Sequence, residues 1–130
     1  MRLLLDTHVW LWSLLEPARL KPAVRAALTD EKNELWLSPI SAWEALVLAE
    51  RGRLDLEGEP RRWIEQALAA TQAKEAALTH EIALASRSVE LPHEDPADRF
   101  LVATARVLGL RLVTADKKIL GSKACPLLAA

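Results

Sequence analysis

Four carboxylates stand where an acidic side chain can serve either as local punctuation or as chemistry. Asp6 ends the apolar run Leu3-Leu4-Leu5, Glu44 closes the segment SPISAWE, Asp98 closes Asp95-Pro96-Ala97-Asp98, and Asp116 follows Leu112-Val113-Thr114-Ala115. Each has a local role open to it. Asp95 before Pro96 suits a helix N-cap with proline at the first helical position and Asp98 in the first turn. Ser41 and Glu44 have capping-box spacing, and Asp6 and Asp116 can each cap a following helix. Caps on separate helices have no need to gather at one point, however, and the order of elements below makes these acids gather. Two ionised carboxylates about 4 Å apart repel by about 4 kcal/mol at an effective dielectric near 20. A divalent cation removes that conflict. No Cys/His set has zinc spacing, because His8, His80 and His93 are scattered. Oxygen-only donors point to Mg²⁺ or Mn²⁺, which suit phosphate-bearing substrates and water attack on a phosphodiester. On that reading no histidine base is required, and His93 is a hydrogen-bonding loop residue. Arg99, Lys117 and Lys118 adjoin the acids in sequence; they are candidate phosphate contacts or ordinary surface cations.

The elements that must position these groups are written in the apolar pattern. A short apolar run halted by a carboxylate is the pattern of a buried parallel strand, and both LLLD and RLVTAD have it. Between them the pattern predicts a helix over 8–15 stopped by Pro17, and a helix from Pro22 with Val24, Ala27 and Leu28 inward. A strand over 34–38 comes next, then a helix with Ile40, Trp43 and Val47 on one face and Gly52 as its C-terminal cap. A loop over 54–58, a helix from Pro60, a short strand over 76–79 and a helix over 80–89 follow. A helix from Pro96 ended by Gly109 leads into RLVTAD, a short helix over 116–120 and an edge strand over 124–128, where Pro126 is tolerated. Trp10 and Trp12, two apart, cannot share a helix face, so one packs inward and the other lines a contact surface. Strands alternating with helices predict a single domain over 1–130, a three-layer α/β/α sandwich with a central parallel sheet. A helix that follows a strand starts at the sheet's carboxyl edge, which places Glu44 there. A helix that precedes a strand runs back along it, which places Asp95 and Asp98 at the same edge beside Asp6 and Asp116. Ligands of open α/β sheets sit in the crevice beyond that edge.

Bulk composition narrows the classes. The 130 residues carry 17 basic and 18 acidic side chains for a formal charge of −1, which argues against a protein held on nucleic acid by overall charge. Cys125 is the single cysteine, so no internal disulfide forms. Asp6 interrupts the first apolar run too early for a signal peptide, and no apolar stretch reaches the roughly 18 residues of a membrane span. These features read as a cytoplasmic protein without membrane association.

At LLLDTHVWLW, SPISAWE, HEDPADRFLVATA and LVTAD the sequence resembles the PIN-domain family, and within it the VapC-type ribonuclease toxins of type II toxin–antitoxin pairs. The pieces occur in family order over nearly the whole chain. The resemblance implies a Mg²⁺- or Mn²⁺-dependent endoribonuclease with catalytic acids Asp6, Glu44, Asp98 and Asp116. Asp6, Asp98 and Asp116 would be the metal ligands, with Asp6 and Asp98 foremost, supported by Thr7, Asp95 and Thr114. It also implies an RNA substrate, a homodimer, and a cognate antitoxin that inserts a segment into the groove. Ala97 departs from the family's bulkier residue between the two acids, which affects packing and leaves the acids in place. Two rivals share parts of the pattern. A Mg²⁺-dependent phospho-acceptor domain would place a lysine after a late strand, where this chain has Asp116. A DNA-directed nuclease would use the same site, because a metal site does not read the sugar.

Overall fold

The structure is a computed structural model and describes residues 1–92 and 94–130. His93, read from sequence as a loop hydrogen-bonding residue, lies outside the described residues.

Five strands form one parallel sheet: β1 (Arg2–Leu5), β2 (Glu34–Leu37), β3 (Lys74–Glu75), β4 (Arg111–Thr114) and β5 (Leu127–Ala129), in the order β3-β2-β1-β4-β5. Among the described residues seven helices connect them: α1 (Thr7–Leu15), α2 (Pro22–Thr29), α3 (Pro39–Glu50), α4 (Pro60–Ala70), α5 (His80–Ser86), α6 (Pro96–Leu108) and α7 (Lys117–Ser122). A 3-10 turn over Pro17–Arg19 separates α1 from α2.

Strand periodicity builds the two cores. Leu3, Leu5 and Val113 face one side and pack with Val9, Trp10, Val24, Ala45 and Ile64. Leu4 and Leu112 face the other side and pack with Ile82, Leu101, Val102, Ala105 and Ile119. Because alternate residues go to opposite faces, three consecutive leucines serve both layers, and the expected α/β/α sandwich results. Trp10 is fully buried, and its indole N–H donates to Thr71 Oγ1 at 2.9 Å, which satisfies its polar edge.

Several sequence expectations are corrected. The third strand lies at Lys74–Glu75 instead of 76–79; buried Ala76 extends it by one bond, its N–H donating to the Leu37 carbonyl at 2.9 Å. In α3 the fully buried positions are Ser41 and Ala45, and Trp43 is 56% exposed, so the Ile40/Trp43/Val47 face is not the inward one. Ile40 packs into one core while Ala42, Ala45 and Leu46 pack into the other. A helix apolar on two sides has no single stripe for periodicity to find.

Candidate active site at the sheet switch point

The chain leaves β1 toward β2 on one side and returns to β4 on the other, so the sheet's topological switch falls between β1 and β4. The carboxyl edge of a doubly wound sheet opens a crevice there. A cleft of about 300 Å³ occupies it, lined by Asp6, His8, Trp12, Glu44, Asp95, Asp98, Ala115 and Asp116. All four acids singled out in the sequence are therefore in one cleft, together with Asp95.

Asp6 continues β1 for one more bond, its N–H donating to the Val113 carbonyl at 3.0 Å. The side chain is buried and does not cap α1. Instead the buried Thr114 hydroxyl donates to Asp6 Oδ2 at 2.6 Å while accepting the Asp116 N–H at 3.1 Å. One hydroxyl thus locks the first acid to the backbone of the last. Burial raises the Asp6 pKa, opposed chiefly by the Thr114 hydrogen bond and by His8.

Asp98, in the first turn of α6, is 8% exposed, and its carboxyl is pushed up to about 8. Burial is the main cause; repulsion from Asp95, Asp6, Asp116 and Glu44 adds to it. Asp95 caps α6, accepting from the Ala97 N–H at 3.0 Å. Asp116 caps α7, Oδ1 accepting from the N–H groups of Lys118 and Ile119 at 2.8 and 3.4 Å. For these two the capping role and a place in the cleft coexist.

Glu44 differs. The N-cap of α3 is Ser38, whose hydroxyl accepts from the Ile40 N–H at 3.1 Å, and the Ser41 N–H bonds back to the Ser38 carbonyl. The capping-box reading of Ser41 and Glu44 is thereby overturned; Pro39, at the first helical position, fixes the cap one residue before itself. Half-buried Glu44 has its pKa raised by burial, lowered by the Thr7 hydroxyl, and raised by Asp6 and Asp95. Thr7 Oγ1 also lies 2.9 Å from the buried Ser41 Oγ, pinning the start of α1 to the start of α3.

The cations divide. Lys117 and Lys118 line a depression that adjoins the cleft and shares Asp95, Asp98 and Asp116 with it. Arg99 does not face the acids. Its guanidinium is buried, donating from Nη1 to the Val89 carbonyl at 2.7 Å and from Nη2 to Glu94 Oε1 at 3.0 Å. One residue along a helix turns a side chain by about 100°, so adjacency to Asp98 in sequence sends Arg99 to a different face. Conversely, His8 lines the cleft without a place predicted for it there, and Trp12, beside the buried Trp10, is the tryptophan of the pair that lines a surface, as their spacing predicts. The only signal for His8 was its place in the first turn of the helix that begins directly after Asp6.

The donor set suits a hard divalent cation, since every acid is an oxygen donor and their crowding opposes ionisation of Asp98. Among the described residues no three acidic, imidazole or thiol groups are drawn into a ready-made cage. Mg²⁺ does not require one, because it takes one or two carboxylates and keeps several waters.

A doubly wound parallel sheet with an acid-lined cleft at its switch point defines the class, and residues 3–121 match the family model described as PIN domain. The chain belongs to the PIN-domain family. Among characterised relatives, Ribonuclease VapC22 of Mycobacterium tuberculosis (strain ATCC 25618 / H37Rv) is 37% identical over 119 residues, covering 89% of this chain and 88% of the relative. In fold the chain is similar to VapBC2 from Rickettsia felis bound to a promoter DNA fragment, with a TM-score of 0.73, 12% identity, and 99% and 98% of the two chains covered. It is similar also to DNA-bound VapBC from Salmonella typhimurium, with a TM-score of 0.72, 13% identity and the same coverage.

Proposed function

We propose that this chain is a Mg²⁺- or Mn²⁺-dependent endoribonuclease, the toxin of a type II toxin–antitoxin pair. The observation that carries the reading is the cleft in which Asp98, its carboxyl raised to about 8, meets Asp6, Glu44 and Asp116. Kinship with a protein named as a ribonuclease supports RNA as the substrate.

Asp6, Asp98 and Asp116 are the residues that would hold the ion, and Glu44 is the fourth acid of the site. When bound, the ion would neutralise charge on the scissile phosphodiester and make a water acidic enough to attack phosphorus at neutral pH. The protein's own groups supply the rigidity this needs. Thr114 fixes the Asp6 carboxylate, the Thr7–Ser41 contact fixes the spacing of α1 and α3, and the Asp95 and Asp116 caps fix two helix starts at the cleft. Lys117 and Lys118 flank the acids as phosphate contacts. In the hydrolysis the water oxygen bonds to phosphorus and the bond to the 3′ oxygen breaks. The products carry a 5′-phosphate and a 3′-hydroxyl, and the 2′-hydroxyl stays idle.

The toxin–antitoxin complexes among the structural neighbours support a cognate antitoxin as partner, and the proposal extends to a second copy of the chain, as a homodimer, and to action in the cytoplasm. No described helix is long and apolar enough to cross a membrane. Incubating single-stranded RNA and DNA with the protein, with Mg²⁺ or Mn²⁺ or with chelator, tests the reading. Metal-dependent RNA cutting with 5′-phosphate ends, abolished in Asp98→Asn, is the expected result. Ends bearing a 2′,3′-cyclic phosphate would overturn the mechanism, and cutting confined to DNA would overturn the substrate.

A further inference from the structure

The acids separate two groups of different chemistry. Asp95, Asp98 and Asp116 line both the cleft and the adjoining depression, whereas Lys117 and Lys118 line only the depression and His8 and Trp12 only the cleft. The Arg19 guanidinium lies 4.3 Å from the centroid of the Trp12 indole, and the His8 ring lies 5.9 Å from it, tilted by 53°. Although stacked, the Arg19 side chain stays 55% exposed; its acidic neighbour Glu16, 3.7 Å away and itself 62% exposed, holds it only weakly. The core beneath α1 is filled by Val9, Trp10 and Leu11, while Trp12 is only partly buried and His8 is exposed.

We propose that His8, Trp12 and Arg19 form a base-stacking subsite for single-stranded RNA; the proposal rests on the ribonuclease reading above. A polyanionic strand must cross a row of carboxylates to be cut, and a net charge of −1 offers it no general attraction. Its affinity must come from groups flanking the acids. The lysines suit phosphates. An indole bearing a guanidinium suits the face of a base, because arginine stacks on aromatic rings and bases stack on both. The strand runs from the lysines across the acids to the stack. Stacking tolerates any base, so this subsite fixes the register of the cut more than its sequence.

Oligoribonucleotides carrying one abasic residue at successive positions around the cut test this on the unaltered protein. One position should lower kcat/KM about tenfold. In Trp12→Leu the intact substrate should show the same loss, and the abasic substrate no further one. Trp12→Phe should keep most of the activity. Arg19→Gln, altered only on an exposed chain, should lose several-fold while its metal-induced melting shift is unchanged. RNA cutting in which no base position is coupled to Trp12 or Arg19 would overturn the subsite alone. Failure to cut any RNA would overturn the ribonuclease reading and the subsite with it.

Discussion

At the scale of single residues, Glu44 and Ser38 show how structural and chemical roles separate. Since Ser38 caps α3, Ser38→Ala should cost about 1 kcal/mol, while Glu44→Gln should melt at or slightly above wild type. On the proposed mechanism Glu44→Gln should lose most RNA cutting. A clear drop in its melting temperature, with cutting intact, would return Glu44 to a purely structural role. Asp98 carries the pH dependence. Its folded pKa of about 8 lies above the ordinary aspartate value of 3.8, so between those values the native state holds a proton the unfolded chain has lost. Stability of the metal-free protein should therefore fall as pH rises from about 4 to about 8. The raised pKa values of Asp6 and Glu44 act in the same direction. Urea midpoints in chelator at pH 5, 6, 7 and 8 measure the slope, and Asp98→Asn should flatten it. A profile that rises with pH would contradict the crowded, buried carboxyl. That Asp6 and Asp98 would reach one cleft was legible because each stands beside strong punctuation, a leucine run in one case and Asp-Pro in the other. Arg99 is no phosphate contact because helix rotation turns it away from its neighbour Asp98, whereas His8 lines the cleft with no pattern in the sequence that marks it.

At the scale of elements, the long helices and strands β1, β2 and β4 were readable because apolar runs and Pro or Gly stops coincide. Strand β3 was not, since two exposed residues, Lys74 and Glu75, carry no apolar pattern and are a strand only by pairing with Trp36 and Leu37. The end of α6 shows the local chemistry that sequence does disclose. Gly109 sits at φ +66°, and the nearest atom a Cβ would meet is Arg2 Nη1 at 3.9 Å. Gly109→Ala therefore meets no clash and should cost about 1 kcal/mol through backbone strain alone, with Gly109→Asn milder. Thermal melts of the two variants give the comparison; equal stability of Gly109→Ala and wild type would mean the left-handed turn is not required. RNA cutting should survive both, because this turn precedes β4 at the end remote from the acids.

At the scale of the whole molecule, the proposed metal site predicts a folded state that responds to metal. If Mg²⁺ or Mn²⁺ binds only the native cleft, a concentration a hundred times its dissociation constant should add about 2.7 kcal/mol. The melting temperature should climb across a titration to millimolar metal, and more so above pH 7, where the empty site is most strained. No climb at either pH would remove the cation from the proposal. The Thr114–Asp6 hydrogen bond joins residues 108 positions apart, and β1, the central strand, has β4 as one of its two neighbours. This has a consequence in time. A growing polypeptide that has emerged through α6 already carries Asp6, Glu44 and Asp98, yet β1 still has an open edge and Asp6 lacks the hydroxyl that holds it. Three of the cleft's acids are thus made before the strand and the hydroxyl that fix Asp6 among them. On the proposed function, a chain halted after α6 should leave RNA uncut, because the cleft closes only when β4 pairs with β1.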